Sequence, residues 1–152
     1  MLSWCILISA CRTTQSVPNE PDPDIKLLIN TIIQDRGGNA REVCIRNSTV
    51  SFGSSSDLEL MRQTGLFTKR ELYIIDSTLS VPSINWKSVV GNDYVFKNRK
   101  ECTGLSLPAF LDDSQEAVIY KSFFGGNEYE IYHKQADIWV HDTTILRMFE
   151  SY

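Results

Sequence analysis

The sequence predicts an α+β domain in which a C-terminal antiparallel sheet packs against an amphipathic helix close to the N-terminus. The sheet is indicated by short β-rich runs between Leu105 and Leu146, which turn residues such as Gly125-Gly126-Asn127 separate into a meander. The helix is indicated by an aliphatic stripe with spacings of three and four residues, which places the side chains on one helical face. This stripe consists of Ile25, Leu28, Ile29, Ile32 and Ile33.

Length and composition fit one folded domain and argue against nucleic-acid binding. A chain of 152 residues with 42% hydrophobic and 22% charged residues is long enough to bury a core. Its net charge of −4 disfavours contact with nucleic acid, because phosphate contacts need clustered Lys and Arg. No apolar run approaches the ~20 residues that a membrane-spanning helix needs.

Capping and periodicity signals predict the other elements. The first helix runs from Asp24, which caps its N-terminus, to Arg36, and Gly37-Gly38 ends it. A capping box of Ser56 and Glu59 begins a short second helix. The remaining predictions are a strand over 41–46, the second helix over 57–63, a strand over 71–76, irregular chain over 77–90 and a brief strand over 94–96.

Alternation within the meander divides its side chains between two faces. Both faces of the run 128–134 mix polar and aromatic residues, so we expect one side of the sheet to be packed and the other partly wet. In the next run, Trp139 and His141 fall on the same face. The two sets in 128–134 are Tyr129, Ile131 and His133 on one face, and Glu130, Tyr132 and Lys134 on the other.

The N-terminus contains an apolar run that ends in a cysteine. Met1 to Ala10 is uncharged, and Leu7-Ile8-Ser9-Ala10-Cys11 places an aliphatic residue and two small ones before the cysteine. This resembles the signal peptide of a bacterial lipoprotein. The resemblance implies that residues 1–10 are removed as a signal peptide and that the thiol of Cys11 carries a diacylglycerol. The alternative is a first β-strand or a frayed terminus of a cytosolic protein.

The segment that follows has the composition of a tether. Residues 11–23 are polar and contain Pro18, Pro21 and Pro23 among acidic residues, and such a sequence stays extended. A tether between a lipid and a folded domain is what an anchored protein requires. Residues 24–152 then form a single globular domain.

Cys44 and Cys102 remain if Cys5 leaves with the signal peptide and Cys11 carries the lipid. An even pair in an exported domain predicts a disulfide, and closing a loop of this length would contribute ~4 kcal/mol in the chain-entropy model. The alternative is two buried free thiols. Neither cysteine has a Cys-x-x-Cys neighbour, so the sequence gives a redox or zinc role no support.

His133 and His141 are the only histidines, and they fall on neighbouring predicted strands. Antiparallel pairing could bring them together as an acid–base pair or part of a metal site. The sequence nevertheless contains no motif with the ligand spacing of a known metal site and no nucleophile elbow or phosphate-binding loop. We therefore predict no catalytic residue, no metal ligand and no cofactor, and the question of enzymatic activity stays open.

A second resemblance lies in the C-terminal half. The spacing Ser106-x-Pro108-x-Phe110-x-x-Asp113 precedes an aliphatic strand, the glycine pair and a strand that contains Trp139. This pattern looks like that of small, often lipid-anchored bacterial proteins of uncharacterised function. It covers under a third of the chain and supplies no catalytic residues.

Together these features predict a lipid-anchored, non-enzymatic protein of the bacterial cell envelope, on the periplasmic face or the cell surface, that binds a protein partner. One concrete version is an immunity or inhibitor lipoprotein that neutralises a toxin. The alternative is a small envelope hydrolase or a ligand-binding carrier with a pocket between helix and sheet near the two histidines. Because Tyr and Trp suit protein contacts, the predicted binding surface is Tyr129, Tyr132, His133, Trp139 and His141.

Overall fold

The computed structural model describes residues 22–35, 42–51, 55–79, 81, 83–91, 94–97, 99, 101–111 and 115–149. Its helices are α1 (Pro23–Asp35), α2 (Ser55–Thr64), α3 (Lys69–Leu79) and α4 (Trp86–Val90). Its strands are β1 (Glu42–Arg46), β2 (Val95–Lys97), β3 (Gly104–Leu105), β4 (Ala109–Phe110), β5 (Glu116–Phe123), β6 (Gly126–Gln135) and β7 (Ile138–Phe149).

The C-terminal strands form one antiparallel sheet of five strands, which confirms the predicted α+β fold. Its order is β3-β5-β6-β7, and β4 also pairs with β5. The long strands β5, β6 and β7 are consecutive neighbours, as a meander requires. A separate sheet consists of β1 and β2, which pair in parallel.

Two tight turns set the register of the meander. The first is Phe124–Gly125, where Gly125 has φ +88°, a conformation that glycine adopts without a steric cost. The second is Ala136–Asp137, with φ of +46° and +66°, and positive φ at both central residues is the mark of a type I′ hairpin. The predicted Gly-Gly-Asn turn is thus displaced, because Gly126 and Asn127 already belong to β6.

Helices cover both faces of the sheet, so the prediction of a partly wet face is wrong. We call the side beneath α1 and α4 the α1 face and the side beneath α2 and α3 the α3 face. The core of the α1 face includes Leu28, Ile29, Ile32, Ile33, Trp86, Val90, Leu105, Ala117, Ile119, Tyr132 and Trp139. The core of the α3 face consists of Met61, Leu72, Ile75, Ala109, Leu111, Val118, Tyr120, Tyr129 and Ile131.

The predicted strand over 71–76 is helical and forms the middle of α3. Thr68 and Glu71 make a reciprocal capping box: the amide of Glu71 donates to Thr68 Oγ1 at 3.2 Å, and the amide of Thr68 donates to Glu71 Oε2 at 2.6 Å. Leu72 and Ile75 are buried one helical turn apart, whereas Tyr73 is exposed. Packing against the sheet therefore outweighs the strand propensity of this segment.

The predicted irregular stretch over 77–90 contains the end of α3 and all of α4. Asn85 caps α4, because its side chain accepts a hydrogen bond from the amide of Lys87 at 2.9 Å. Trp86 follows the cap and is buried against the α1 face. The predicted first and second helices and the strand over 41–46 are present with slightly shifted ends, and Pro23 of the predicted tether is the first residue of α1.

Cys44 and Cys102 form the predicted disulfide, which excludes the alternative of two free thiols. Their Cα atoms are 4.7 Å apart, within the range that a disulfide spans. Two backbone hydrogen bonds run alongside the disulfide. The amide of Thr103 donates to the carbonyl of Cys44 at 3.0 Å, and the amide of Arg46 donates to the carbonyl of Thr103 at 2.9 Å. The bridge thus joins β1 to the segment that leads into β3.

Candidate functional site

The five residues predicted as an exposed binding surface do not form one. Tyr129, Tyr132 and Trp139 are 0%, 2% and 1% exposed, because helices cover the two faces on which they lie. Tyr129 belongs to the core of the α3 face, and its hydroxyl donates to Asp57 Oδ2 at 2.6 Å. His133 is half-buried and His141 is exposed.

The two histidines lie on opposite faces of the sheet. His133 pairs with Val140, and Tyr132 pairs with His141, so the two imidazoles belong to adjacent rungs whose side chains point in opposite directions. An acid–base pair or a metal site that uses both rings is therefore not assembled. The side chain of His133 contacts Gln135, and only His141 shares a face with Tyr132 and Glu130.

A cleft of about 600 Å³ separates the C-terminal half of α1 from the sheet. It lies between helix and sheet, where the sequence predicts a pocket for the carrier or hydrolase alternative. Three residues of the predicted binding surface line it, together with residues that the sequence analysis did not single out. The lining consists of Ile32, Asp35, Lys121, Glu130, Tyr132, Trp139, Val140 and His141.

A buried polar network forms the floor of the cleft. Lys121 of β5 makes an ion pair with Glu130 of β6, and both side chains are at least nine-tenths buried. The hydroxyl of Tyr132 donates to Glu130 Oε2 at 2.6 Å and accepts from Lys121 Nζ at 3.3 Å. Because each group satisfies another, the network positions its side chains firmly.

The charge on Glu130 depends on this network. Burial by itself would raise the pKa of the carboxyl group, but the hydrogen bond and charge of Lys121, the hydroxyl of Tyr132 and the charge of His141 outweigh it. The pKa of Glu130 is consequently lowered. At neutral pH the floor of the cleft therefore carries an ion pair of Lys121 and Glu130, whose opposite charges offset each other.

Aromatic rings form one wall of the cleft. Trp139 packs against Phe110 with ring centroids 5.6 Å apart, and His141 meets the ring of Tyr132 edge to face at 5.4 Å. The indole Nε1 of Trp139 is buried and makes no hydrogen bond with any residue that the structure describes. Buried polar atoms are normally paired, and the indole nitrogen of Trp86 in the same core is a second such exception within the described residues.

An ion pair fastens α1 over the sheet at the end remote from Asp35. Lys134 Nζ of β6 donates to Asp24 Oδ1 at 2.8 Å, and it also lies 5.8 Å from the centre of the Trp139 ring. The hydrogen bond with Asp24 raises the pKa of Lys134. This ion pair thus lies at the opposite end of α1 from the cleft.

The described part of the chain contains neither a metal-binding cluster nor a membrane-spanning helix. No group of three or more His, Cys, Asp or Glu side chains there could hold a metal ion. Among the helices of those same residues, none is long and apolar enough to cross a bilayer. Residues 1–10, Cys11 and nearly all of the predicted tether lie outside the described residues, so lipidation stays a prediction.

Comparisons of the chain with protein-family models, curated proteins and solved structures found no match.

The sequence analysis missed the residues that give the cleft its polarity. In the sequence, Lys121 had no predicted role and Glu130 fell on a mixed face, yet the two form a buried ion pair diagonally across β5 and β6. One available signal was that Lys121 follows four residues, Ala117-Val118-Ile119-Tyr120, that lack any polar alternation, as expected of a strand covered on both faces. Asp35 carried no signal beyond its place at the end of the helix.

Proposed function

We propose that the chain is a ligand-binding domain whose cleft between α1 and the sheet takes a small molecule. The observation that carries the proposal is the cleft itself, whose edge carries the exposed side chains of Asp35 and His141. Their polar atoms are available to hydrogen-bond a polar ligand that enters the cleft.

The size and lining of the cleft support this proposal. A volume of about 600 Å³ lies within the range of small-molecule sites, which run from about 300 to about 1,000 Å³. Ile32 and Trp139 supply apolar surface at the base of the cleft, and His141 and Asp35 supply polar groups at the edge. Such a combination of apolar walls with a few convergent polar groups is typical of ligand pockets.

The floor of the cleft favours binding over catalysis. Lysine acts as a nucleophile when its amine loses the proton, but the ion pair with Glu130 favours the ammonium form of Lys121. Tyr132 is committed to both members of that pair. Within the described residues, His141 makes no hydrogen bond or ion pair with a titratable side chain, which suits recognition of a ligand.

Filling the cleft tests the proposal. His141→Trp places a bulky ring at the exposed edge, and His133→Trp makes the same change on the opposite face as a matched control. A screen of small polar molecules, followed through the indole N–H resonance of Trp139, should yield ligands that bind the wild type and the His133 variant. The His141 variant should lose them. Equal binding by the His141 variant would move the site elsewhere and refute the proposal.

We further propose that this domain is a lipid-anchored envelope protein. The support is the run Leu7-Ile8-Ser9-Ala10-Cys11, the proline-rich acidic segment after it, and the Cys44–Cys102 disulfide. Disulfides persist in exported proteins and are rare in the reducing cytosol. Mass spectrometry of membrane fractions should find an N-terminal Cys11 with a diacylglycerol. An unmodified Cys11 in a chain that retains Met1 contradicts the proposal.

A protein partner is the second candidate function, and the outer surface of α2 and α3 favours it. Tyr73 is 73% exposed beside a groove of about 480 Å³, and Leu66 in the preceding loop is 61% exposed. Arg62, Lys69 and Asp76 border this groove, so an apolar centre has a charged rim, as protein interfaces do. A toxin that reaches the periplasm is one concrete partner.

Site-specific photocrosslinking in intact cells separates this second function from the first. A photoreactive phenylalanine at position 73 should give a discrete crosslinked product with a partner protein. The same residue in place of Phe124, which is 77% exposed at the β5–β6 turn, provides a matched aromatic control. If the two positions crosslink alike or neither reacts, the α2–α3 surface is not a partner site.

A further inference from the structure

We infer that the partner seated on the outer surface of α2 and α3 is a second copy of this chain, an inference that rests on the protein-partner function proposed for that surface. Among the described residues, six large hydrophobic side chains are exposed, and three of them belong to the hairpin of α2 and α3. These three are Leu60, Leu66 and Tyr73. The ring of Tyr73 also lines the groove between the two helices, so it extends an apolar floor made by Leu58 and Leu72.

Lys69 and Asp76 place opposite charges on one side of α3. They are seven residues apart in the sequence. This separation is nearly two helical turns, so the two side chains share one side of the helix with ~10 Å between their positions along its axis. Both are exposed and border the groove, and Tyr73 lies between them. Within the described residues, neither forms an ion pair with another side chain.

This order of groups is complementary to itself when the helix is reversed. Two copies of α3 can pack antiparallel about a two-fold axis that passes between Leu72 and Tyr73. Lys69 of each copy then lies opposite Asp76 of the other, because the two positions are equally far from the axis. The same symmetry sets Tyr73 of each copy against the groove of the other, where Leu58 and Leu72 supply apolar contacts. Each contact is made twice, so one short helix supplies two ion pairs and two buried rings.

The charges around the groove do not oppose self-association. Arg62 is paired with Glu59 of the same helix, and Lys69 and Asp76 offset each other, so these four charges sum to zero. A surface of one sign would repel a copy of itself and attract a partner of the opposite sign. A balanced surface gains nothing from a uniformly acidic or basic partner, whereas its own copy presents an opposite charge to both Lys69 and Asp76.

Charge reversal on the full chain tests the inference. In sedimentation equilibrium, the mass of the wild type should approach twice that of the monomer as the concentration rises. Lys69→Asp and Asp76→Lys should each weaken dimerisation about tenfold or more, because the symmetry turns both ion pairs into like-charge pairs. An equimolar mixture of the two variants should associate again, since each supplies the charge that the other lacks. Lys87→Asp makes the same charge change on the exposed surface of α4 and should leave dimerisation within about twofold of wild type.

The photoreactive phenylalanine at position 73 should then crosslink two copies of the chain and give a product of twice its mass. A wild type that stays monomeric at every concentration overturns the inference. A dimer that persists in both single variants, or folded variants that do not associate when mixed, places the contact elsewhere and overturns it too. In these cases a crosslink from position 73 to a different protein leaves the proposed partner function standing. If position 73 gives no discrete product at all, that function fails together with the inference.

Discussion

Tyr129 and Tyr132 both bury a hydroxyl group that donates to a carboxylate at 2.6 Å, but on opposite faces of the same strand. On the α3 face, Tyr129 reaches Asp57 in the first turn of α2, so its hydrogen bond joins a helix to the sheet. On the α1 face, Tyr132 reaches Glu130 two residues away, and the bond stays within the sheet. The same chemical pair thus supports packing on one side and lines a cleft on the other.

The contrast shows that the α1 face retains a buried ion pair that does not join a helix to the sheet. The α3 face places apolar side chains such as Met61 and Ile75 between helix and sheet. The α1 face carries the ion pair of Lys121 and Glu130 beneath the C-terminal half of α1. Apolar pairs of similar volume are often as stable as buried ion pairs or more so. We therefore attribute the retention of this pair to the cleft.

Breaking the ion pair should give the largest effect. Lys121→Met leaves Glu130 buried without its cation and should lower the free energy of unfolding by about 3–5 kcal/mol. The double variant Lys121→Met/Glu130→Leu should recover most of that loss, since it removes both charges. Urea denaturation of the two variants and of Glu130→Leu completes a double-mutant cycle. If the double variant is as unstable as Lys121→Met, the ion pair itself stabilises the sheet, and the cleft does not explain why the pair is retained.

Cavity-creating substitutions compare the packing of the two faces. Ile75→Ala on the α3 face should lower the free energy of unfolding by about 4 kcal/mol, because the surrounding core cannot collapse into the space. Ile32→Ala should cost about 2 kcal/mol, because Ile32 already borders the cleft and its truncation enlarges a space that water can enter. Chemical denaturation of both variants measures the difference. Equal losses would mean that the cleft is as tightly packed as the α3 face.

Removing each tyrosine hydroxyl compares the two hydrogen bonds directly. Tyr129→Phe should lower the free energy of unfolding by about 2 kcal/mol, since Asp57 loses a buried donor. Tyr132→Phe should cost about 1 kcal/mol, because Glu130 keeps the ammonium of Lys121. Thermal and urea unfolding of the pair test this order. The reverse order would make the hydroxyl of Tyr132 the main partner of Glu130.

The fold was largely predictable from the sequence because its signals are local. The stripe of α1 and the alternation of β6 and β7 follow from the period of each element, and the Cys44–Cys102 disulfide follows from counting the cysteines of a chain predicted to be exported. The prediction of a strand over 71–76 failed because Leu72-Tyr73-Ile74-Ile75 suits a strand in isolation. The capping box at Thr68 and contact with the sheet make this segment helical.

The cleft was predictable only as a location. The sequence predicted a pocket between helix and sheet near His133 and His141, of which only His141 lines the cleft, and it could not show that α2 and α3 cover the second face. Without that cover, Tyr129 would be exposed. Lys121 and Glu130 lie on the α1 face, and their burial as a pair depends on the register of β5 and β6. The shift of the first turn from 125–127 to 124–125 and the bulges of β7 depend on cross-strand packing, which a pattern within one strand does not contain.

Acid unfolding provides the finest test of the difference between the faces. The pKa of Glu130 is lowered in the folded protein, since Lys121, Tyr132 and His141 together outweigh its burial. A group with a lowered pKa stabilises the fold above its unfolded pKa of about 4.3, and this contribution disappears as the pH falls through the folded value. The stability difference between wild type and Glu130→Gln should therefore shrink below about pH 4.

In the Lys121→Met background the sign should reverse. Burial then dominates and raises the pKa of Glu130, so the folded state takes up a proton before the unfolded chain does. Lowering the pH from 7 towards 4 should stabilise this variant relative to its own Glu130→Gln derivative, because protonation removes the unpaired buried charge. Urea denaturation across this range measures both differences. If the pH dependence keeps the same sign with and without Lys121, solvent and not the ammonium group determines the charge of Glu130, and the floor of the cleft is wetter than its geometry indicates.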